Sequence, residues 1–148
     1  MALDMSGEYL LPLPRQEVWK ALNDPAMLKR CIPGCESLER LSDTEFAAVA
    51  RLEAGPVKAR FKGRVKLADM VPPESYTISG EGDGGVAGFA RGNAAVTLSD
   101  LPEGTKLAYT AAATVGGKIA QLGQRLLAGT AKKIADRFFA NFAKALAE

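Results

Sequence analysis

The last thirty residues constrain this chain most: Lys118 to Ala147 follow the pair Gly116-Gly117 and read KIAQLGQRLLAGTAKKIADRFFANFAKALA. Ile119, Gly123, Leu127, Ala131 and Ala135 recur at every fourth position, with Leu126, Thr130, Ile134, Phe138, Phe142 and Leu146 alongside them. Lys118, Arg125, Lys132, Asp136 and Lys144 fall on the other side. Apolar residues at this spacing make one broad stripe along a helix. At about 1.5 Å per residue the helix would reach about 45 Å, the span of a whole small domain. The rest of the chain therefore has to cover that stripe. Gly123 and Gly129 interrupt it, each costing about 1 kcal/mol relative to alanine inside a helix.

Ahead of the helix the period is two. A short strand from Met5 to Leu11, with Gly7 and Tyr9 on one face, ends at Pro12 and Pro14. Helices then fit Arg15 to Leu22 and Ala26 to Arg30, separated by Asn23-Asp24-Pro25 and closed by Ile32-Pro33-Gly34. Strands follow over Glu36–Leu41, Glu45–Glu53, Val57–Met70, Ser75–Glu81, Gly88–Ser99 and Thr105–Val115. The breaks between them, such as Ser42-Asp43, Gly55-Pro56, Pro72-Pro73, Asp83-Gly84-Gly85 and Pro102-Glu103-Gly104, are hairpin sized. Short turns allow antiparallel neighbours and exclude βαβ crossovers. The expectation is an α+β domain in which a curved antiparallel sheet of seven strands wraps the long C-terminal helix. A chain of 148 residues suits one such domain and buries roughly 70% of its unfolded surface without a staple.

The strand from Val57 to Leu67 alternates most sharply. Val57, Ala59, Phe61, Gly63, Val65 and Leu67 make one face, and Lys58, Arg60, Lys62, Arg64 and Lys66 make the other. The cationic face reads either as a patch for an acidic protein or anionic lipid surface, or as a solvated face whose charges meet Glu45, Glu53, Glu81 and Asp83 across the sheet. On the apolar side, the faces Gly88-Ala90-Gly92-Ala94-Val96-Leu98 and Leu107-Tyr109-Ala111-Ala113-Val115 hold many small residues, as does the helix at Gly123 and Gly129. Such a seam means close backbone packing or room for a ligand. By this reading the roomy end of the helix is the one nearest Gly116-Gly117, and Phe138, Phe142 and Leu146 pack the other.

Several chemistries are excluded. The chain has no histidine, which removes the common triads and the Cys-His dyad, and no GxSxG elbow is present. Cys31 and Cys35 are too few for a structural zinc site and are expected as reduced thiols. Gly80 to Gly85 spells GxGxxG, but a strand follows it where a dinucleotide site needs a helix, so the glycines are expected in a hairpin turn. The net charge of +2 is ordinary. Phe61 points away from the basic face, which argues against nucleic acid. No catalytic residue, metal ligand or cofactor is expected. Neither a signal peptide nor an apolar run of membrane-spanning length is present, so a cytoplasmic location is expected.

PGCESLE (Pro33 to Glu39), GPVKARFKGRVKL (Gly55 to Leu67), PPESYTISGEGDGG (Pro72 to Gly85), GFARGNAAVTL (Gly88 to Leu98) and GGKIAQLGQRLLAGTAKKIADRFFANF (Gly116 to Phe142) resemble the G-subunit family of carbon monoxide dehydrogenase. The resemblance implies the START-like helix-grip fold, shared with polyketide cyclases, with a hydrophobic cavity under the helix. It implies a non-catalytic accessory protein of molybdenum hydroxylases that recruits the enzyme to the cytoplasmic membrane and handles a lipophilic molecule such as a lipid or quinone. Longer members continue into a linker and tail, whereas this sequence stops at Glu148.

Two functions follow, with a third on the same fold. The first is a ligand-binding module, entered past Met27, Leu28, Cys31 and Ile32 and walled by Phe61, Ala94, Tyr109, Ala111, Leu122, Leu126 and Phe138. The second is an adaptor that docks hydroxylase subunits or the inner membrane surface through Lys58, Arg60, Lys62, Arg64 and Lys66. A cyclase- or hydrolase-like enzyme is the third, since the scaffold can host chemistry.

Overall fold

The structure, a computed structural model, describes residues 1–148. Strand β1 (Ala2–Leu11) is followed by helices α1 (Arg15–Leu22) and α2 (Pro25–Cys31). Six strands come next: β2 (Cys35–Ser42), β3 (Glu45–Ala54), β4 (Val57–Val71), β5 (Ser75–Asp83), β6 (Phe89–Leu101) and β7 (Gly104–Gly116). Helix α3 (Gln124–Leu146) completes the chain. The seven strands form one antiparallel sheet in the order β1-β7-β6-β5-β4-β3-β2. Strands β2 to β7 are successive hairpins, and β1 closes on β7 from Ala2↔Thr114 to Leu11↔Thr105. Helices α1 and α2 carry the chain from one edge of the sheet to the other. Asp24 caps α2 by accepting from the Ala26 amide at 3.0 Å, with Pro25 in the first turn, where no amide is needed.

The expected fold class and the number, type and order of the strands and of the three expected helices are those found. The long helix is shorter than its sequence stripe. Lys118–Leu122 forms a 3₁₀ turn, and Gly123, at φ +94°, stands before α3 as its N-cap. That backbone conformation is strained for any side chain other than glycine. The break turns the chain so that Ile119 drops onto Val115 and Leu3 while α3 departs across the sheet. Its 23 residues span about 35 Å. Gly123 is thus a corner, and only Gly129 lies within the helix. The GxGxxG letters also divide differently from the expectation: Gly80 and Gly82 lie inside β5, and a 3₁₀ turn at Gly85–Ala87 makes the hairpin.

The concave side holds two separate cores. The larger gathers Val18, Leu22, Cys31, Phe46, Tyr76, Leu98, Leu107 and Phe142 among α1, α2, the sheet and the end of α3. The smaller joins Leu3, Ala54, Val115, Ile119 and Leu127 at the start of α3. Between Leu127 and Phe142 no residue of α3 is fully buried. The helix finds its backbone neighbours chiefly in β1, β3 and α2, near the margins of the sheet. It therefore bridges the central strands, with a packed anchor at each end.

Candidate functional site

The middle of the concave face is built of small side chains. Met5, Ala94 and Ala111 alternate with exposed neighbours, and like Ala50 they are partly buried yet pack against neither core. Ala94 and Ala111 are direct partners across β6 and β7. Above them α3 presents Ala131, Ile134 and Ala135, which also join neither core. The glycines nearby have two physical origins. A Cβ on Gly63 would stand 2.3 Å from the Glu81 carbonyl oxygen, so close approach of β4 and β5 demands glycine there. A Cβ on Gly129 would meet nothing within 4 Å. The helix gains no packing at Gly129 in return for its conformational cost.

A cleft of about 1060 Å³ opens beside this region, between α3 and the β3 margin of the sheet. Leu52, Leu122, Leu126, Gly129 and Ile134 form its floor and helix wall, and Pro33 and Gly34 form the corner after α2. Leu126 is 39% exposed. The helix side of the cleft is cationic, with Arg125, Lys133 and Arg137, while Arg51 and Glu53 border it from β3 with their side chains on the convex face beside Arg60 and Lys58.

The residues expected to line a cavity are distributed over four places. Leu122 and Leu126 line the cleft. Ala94 and Ala111 face the interior between the cores. Phe61 lies at the edge of the smaller core with its ring against Gly82 and Gly84. Tyr109 and Phe138 flank the larger core. There Phe138 meets Phe139 edge-on at 4.9 Å and stacks on Phe142 at 5.7 Å.

The expected entrance requires a correction. Cys31 is 1% exposed inside the larger core, and Met27 packs against that core. The Cys31 thiol donates to the Met27 sulfur at 3.8 Å. Its carbonyl accepts from Asn141 Nδ2 at 3.0 Å, which ties α2 to α3. Leu28 and Ile32 are partly buried and do not line the cleft. Helix α2 is a closed wall because its apolar face has Phe142 and Leu146 to pack against. The opening lies one turn of chain later, at Pro33-Gly34. Both cysteines are free. Burial pushes each thiol up, which suppresses the thiolate needed for redox chemistry.

Tyr9 is the interior residue that sequence reasoning left without a role. It projects inward from β1 and stacks on Phe139 at 4.1 Å, with Tyr109 6.2 Å away. Its hydroxyl donates to Asp136 Oδ1 at 2.7 Å, and Lys132 Nζ donates to the other oxygen of that carboxylate at 3.1 Å. Burial first, then the Asp136 hydrogen bond, pushes the Tyr9 phenol up, so it stays protonated as a donor. The same bonds hold the Asp136 carboxyl below the usual range. The available signal was parity: Tyr9 shares a face with Gly7, and a Cβ on Gly7 would stand 2.9 Å from the Tyr109 ring.

The basic strand lies on the convex face, with acids opposite four of its five cations and ion pairs at Arg60 and Arg64. Lys58 stands opposite Glu53, and Lys66 opposite Glu45. On the other side, Lys62 stands opposite Asp83 and Arg64 opposite Glu81. Arg60 faces Arg51 and turns instead to Glu36, donating at 2.5 Å. Arg64 pairs with Glu45 at 3.4 Å.

Solved structures share this architecture. A conserved protein from Geobacillus kaustophilus is 35% identical, with a TM-score of 0.92 over 98% of this chain and 95% of that one. TTHA0849 from Thermus thermophilus is 17% identical, with a TM-score of 0.72 over 97% of each chain. The Zhui aromatase/cyclase from Streptomyces sp. R1128 is 9% identical, with a TM-score of 0.70 over 99% of this chain and 94% of that one. The last two show the fold alone. No curated protein matches the chain. Residues 7–147 match the family of the G subunit of carbon monoxide dehydrogenase, CoxG. With that match spanning the larger core, the cleft and the whole of α3, the chain belongs to the CoxG family of carbon monoxide dehydrogenase G subunits.

Proposed function

We propose that this protein is a non-catalytic accessory component of a carbon monoxide dehydrogenase-type molybdenum hydroxylase, and that it holds a lipophilic small molecule, a lipid or quinone, between α3 and the sheet. The observation that carries the reading is the pair Ala94 and Ala111, which point inward and pack against neither core. An apolar interior with few polar groups suits a hydrophobic guest. Leu122, Leu126 and Ile134 line the cleft, and on this reading the guest would enter past them. No helix is long and apolar enough to cross a membrane.

Native mass spectrometry of the purified protein, followed by solvent extraction, tests this. An adduct that extracts as a lipid or quinone is the expected result. Protein that carries no such adduct, and acquires none from a lipid extract, would remove the reading.

The adaptor reading competes for the same protein. Acids stand opposite four of the five cations of β4, and Arg60 and Arg64 are ion-paired; this supports a ligand-binding module over a docking patch. Reversing Lys58, Arg60 and Lys62 to glutamate would set like charges against Glu53, Glu36 and Asp83. Thermal unfolding is expected at a lower temperature, with hydroxylase pull-down and liposome association unchanged. Association lost without any change in melting temperature would favour the adaptor.

A further inference from the structure

We propose that the cationic rim of the cleft binds the anionic head group of an acyl-chain amphiphile whose tail passes Leu126 and Ile134 into the interior. This names the ligand class of the proposed lipophile site and rests on that reading. Arg125, Lys133 and Arg137 lie on one stripe of α3 with Gly129 between the first two, and all four line the cleft. The molecule's ion pairs occupy Arg15, Arg30, Arg60, Arg64 and Lys132. None of the three rim cations on α3 takes part in one. The single carboxylate of the cleft, Glu53, stands opposite Lys58 in the sheet.

The arrangement is unfavourable for the helix alone. Lys133 and Arg137 are like charges one turn apart, which weakens a helix. The neighbouring stripe pairs Lys132 with Asp136 at 3.1 Å. Four residues of rise put the bases of Lys133 and Arg137 about 6 Å apart, close enough for both to reach one head group. Arg125 stands about 12 Å from Lys133, and Gly129 leaves a notch between them in which a Cβ would meet nothing within 4 Å. Polar and apolar walls are thus ordered as an amphiphile is, with charge outside and Leu122, Leu126 and Ile134 within. The Thr130 hydroxyl donates to the Leu126 carbonyl at 2.9 Å, so it competes for no head group.

The full chain can be titrated with laurate, kept below its micelle concentration, and with dodecanol, by displacement of a fluorescent fatty-acid probe. Parallel samples meet vesicles of phosphatidylglycerol or phosphatidylcholine. A charge-assisted contact predicts that laurate binds about tenfold more tightly than dodecanol. The exposed-site variant Arg125→Gln/Lys133→Gln/Arg137→Gln should bring the two affinities together while leaving dodecanol within about twofold. If wild type prefers phosphatidylglycerol vesicles to free laurate, and the variant loses that preference, the head group is supplied by a bilayer and the site stands. Equal binding of laurate and dodecanol with no vesicle preference, or a preference retained by the variant, overturns the rim assignment and leaves the lipophile site intact. Failure of laurate, dodecanol and both vesicles to bind removes the rim assignment and the lipophile site together.

Discussion

Phe142→Ala is expected to destabilise the protein by about 3–5 kcal/mol, and Leu127→Ala by about 2–5 kcal/mol, in urea unfolding. Phe142 is 0% exposed and central to the larger core. Leu127 is 5% exposed in the smaller one. Each substitution removes buried apolar surface and leaves a cavity that its neighbours fill only in part. The two residues are separated along α3 by about 22 Å and share no core cluster. Their effects should therefore add to within about 0.5 kcal/mol in the double variant. Total stability for such a domain is about 5–15 kcal/mol, so Phe142→Leu replaces the alanine variant if the latter fails to fold. A coupling well above that margin would mean that one continuous core links the two ends of the helix, and the two-anchor description would fall.

The second large effect is on ligand uptake. Ala94→Leu together with Ala111→Leu is expected to abolish uptake of a lipophile while leaving the urea midpoint unchanged or raised. In a filled core, added methylenes cost about 1–3 kcal/mol at each site because neighbours must leave their rotamers. In open apolar space the same atoms gain burial, up to about 1.5–3 kcal/mol for a fully covered leucine. Gly63→Ala supplies the contrast, since its Cβ would meet the Glu81 carbonyl oxygen at 2.3 Å. That variant should lose stability although it adds far less volume. If the double leucine variant is destabilised as a packed core would be and still takes up lipophiles, the space between the cores is filled by protein and the ligand lies elsewhere.

Much of the architecture is legible along the chain because strand faces and turns are local properties. Alternation assigns Ala94, Tyr109 and Ala111 to the inward face, and each lies there. The hairpin-sized breaks at Gly55-Pro56 and Pro102-Glu103 force antiparallel neighbours, and the sheet follows them. The start of α3 is less legible because periodicity carries no information about a single dihedral. Ile119 and Leu127 fit one helical stripe, and yet Gly123 turns the corner between them. Met27 and Cys31 depart from expectation for a related reason. Apolar residues on a short helix mark a face that needs cover, and only the packing partner decides whether that cover is protein or ligand. For α2 the partner is α3, through Asn141 and the residues around Phe142.

The sequence by itself determined the number of strands, the hairpin succession from β2 to β7, the inward and outward faces and the family, since these depend on neighbours within a few residues and on motifs read directly. The closure of β1 on β7, by contrast, joins segments far apart in the chain. Only the tertiary structure decided where space remains. The helix is anchored by Leu127 and Phe142 and bridges the small residues between them, and the cleft beside it runs from Leu122 to Arg137. Charge was settled in the same way. Lys58 to Lys66 look like a docking patch until the register brings acids opposite four of the five, whereas Arg125, Lys133 and Arg137, unremarkable in sequence, are left facing a cleft without partners. Whether a cation is spent or free depends on what stands across from it, and that is set by chain segments far apart in the sequence.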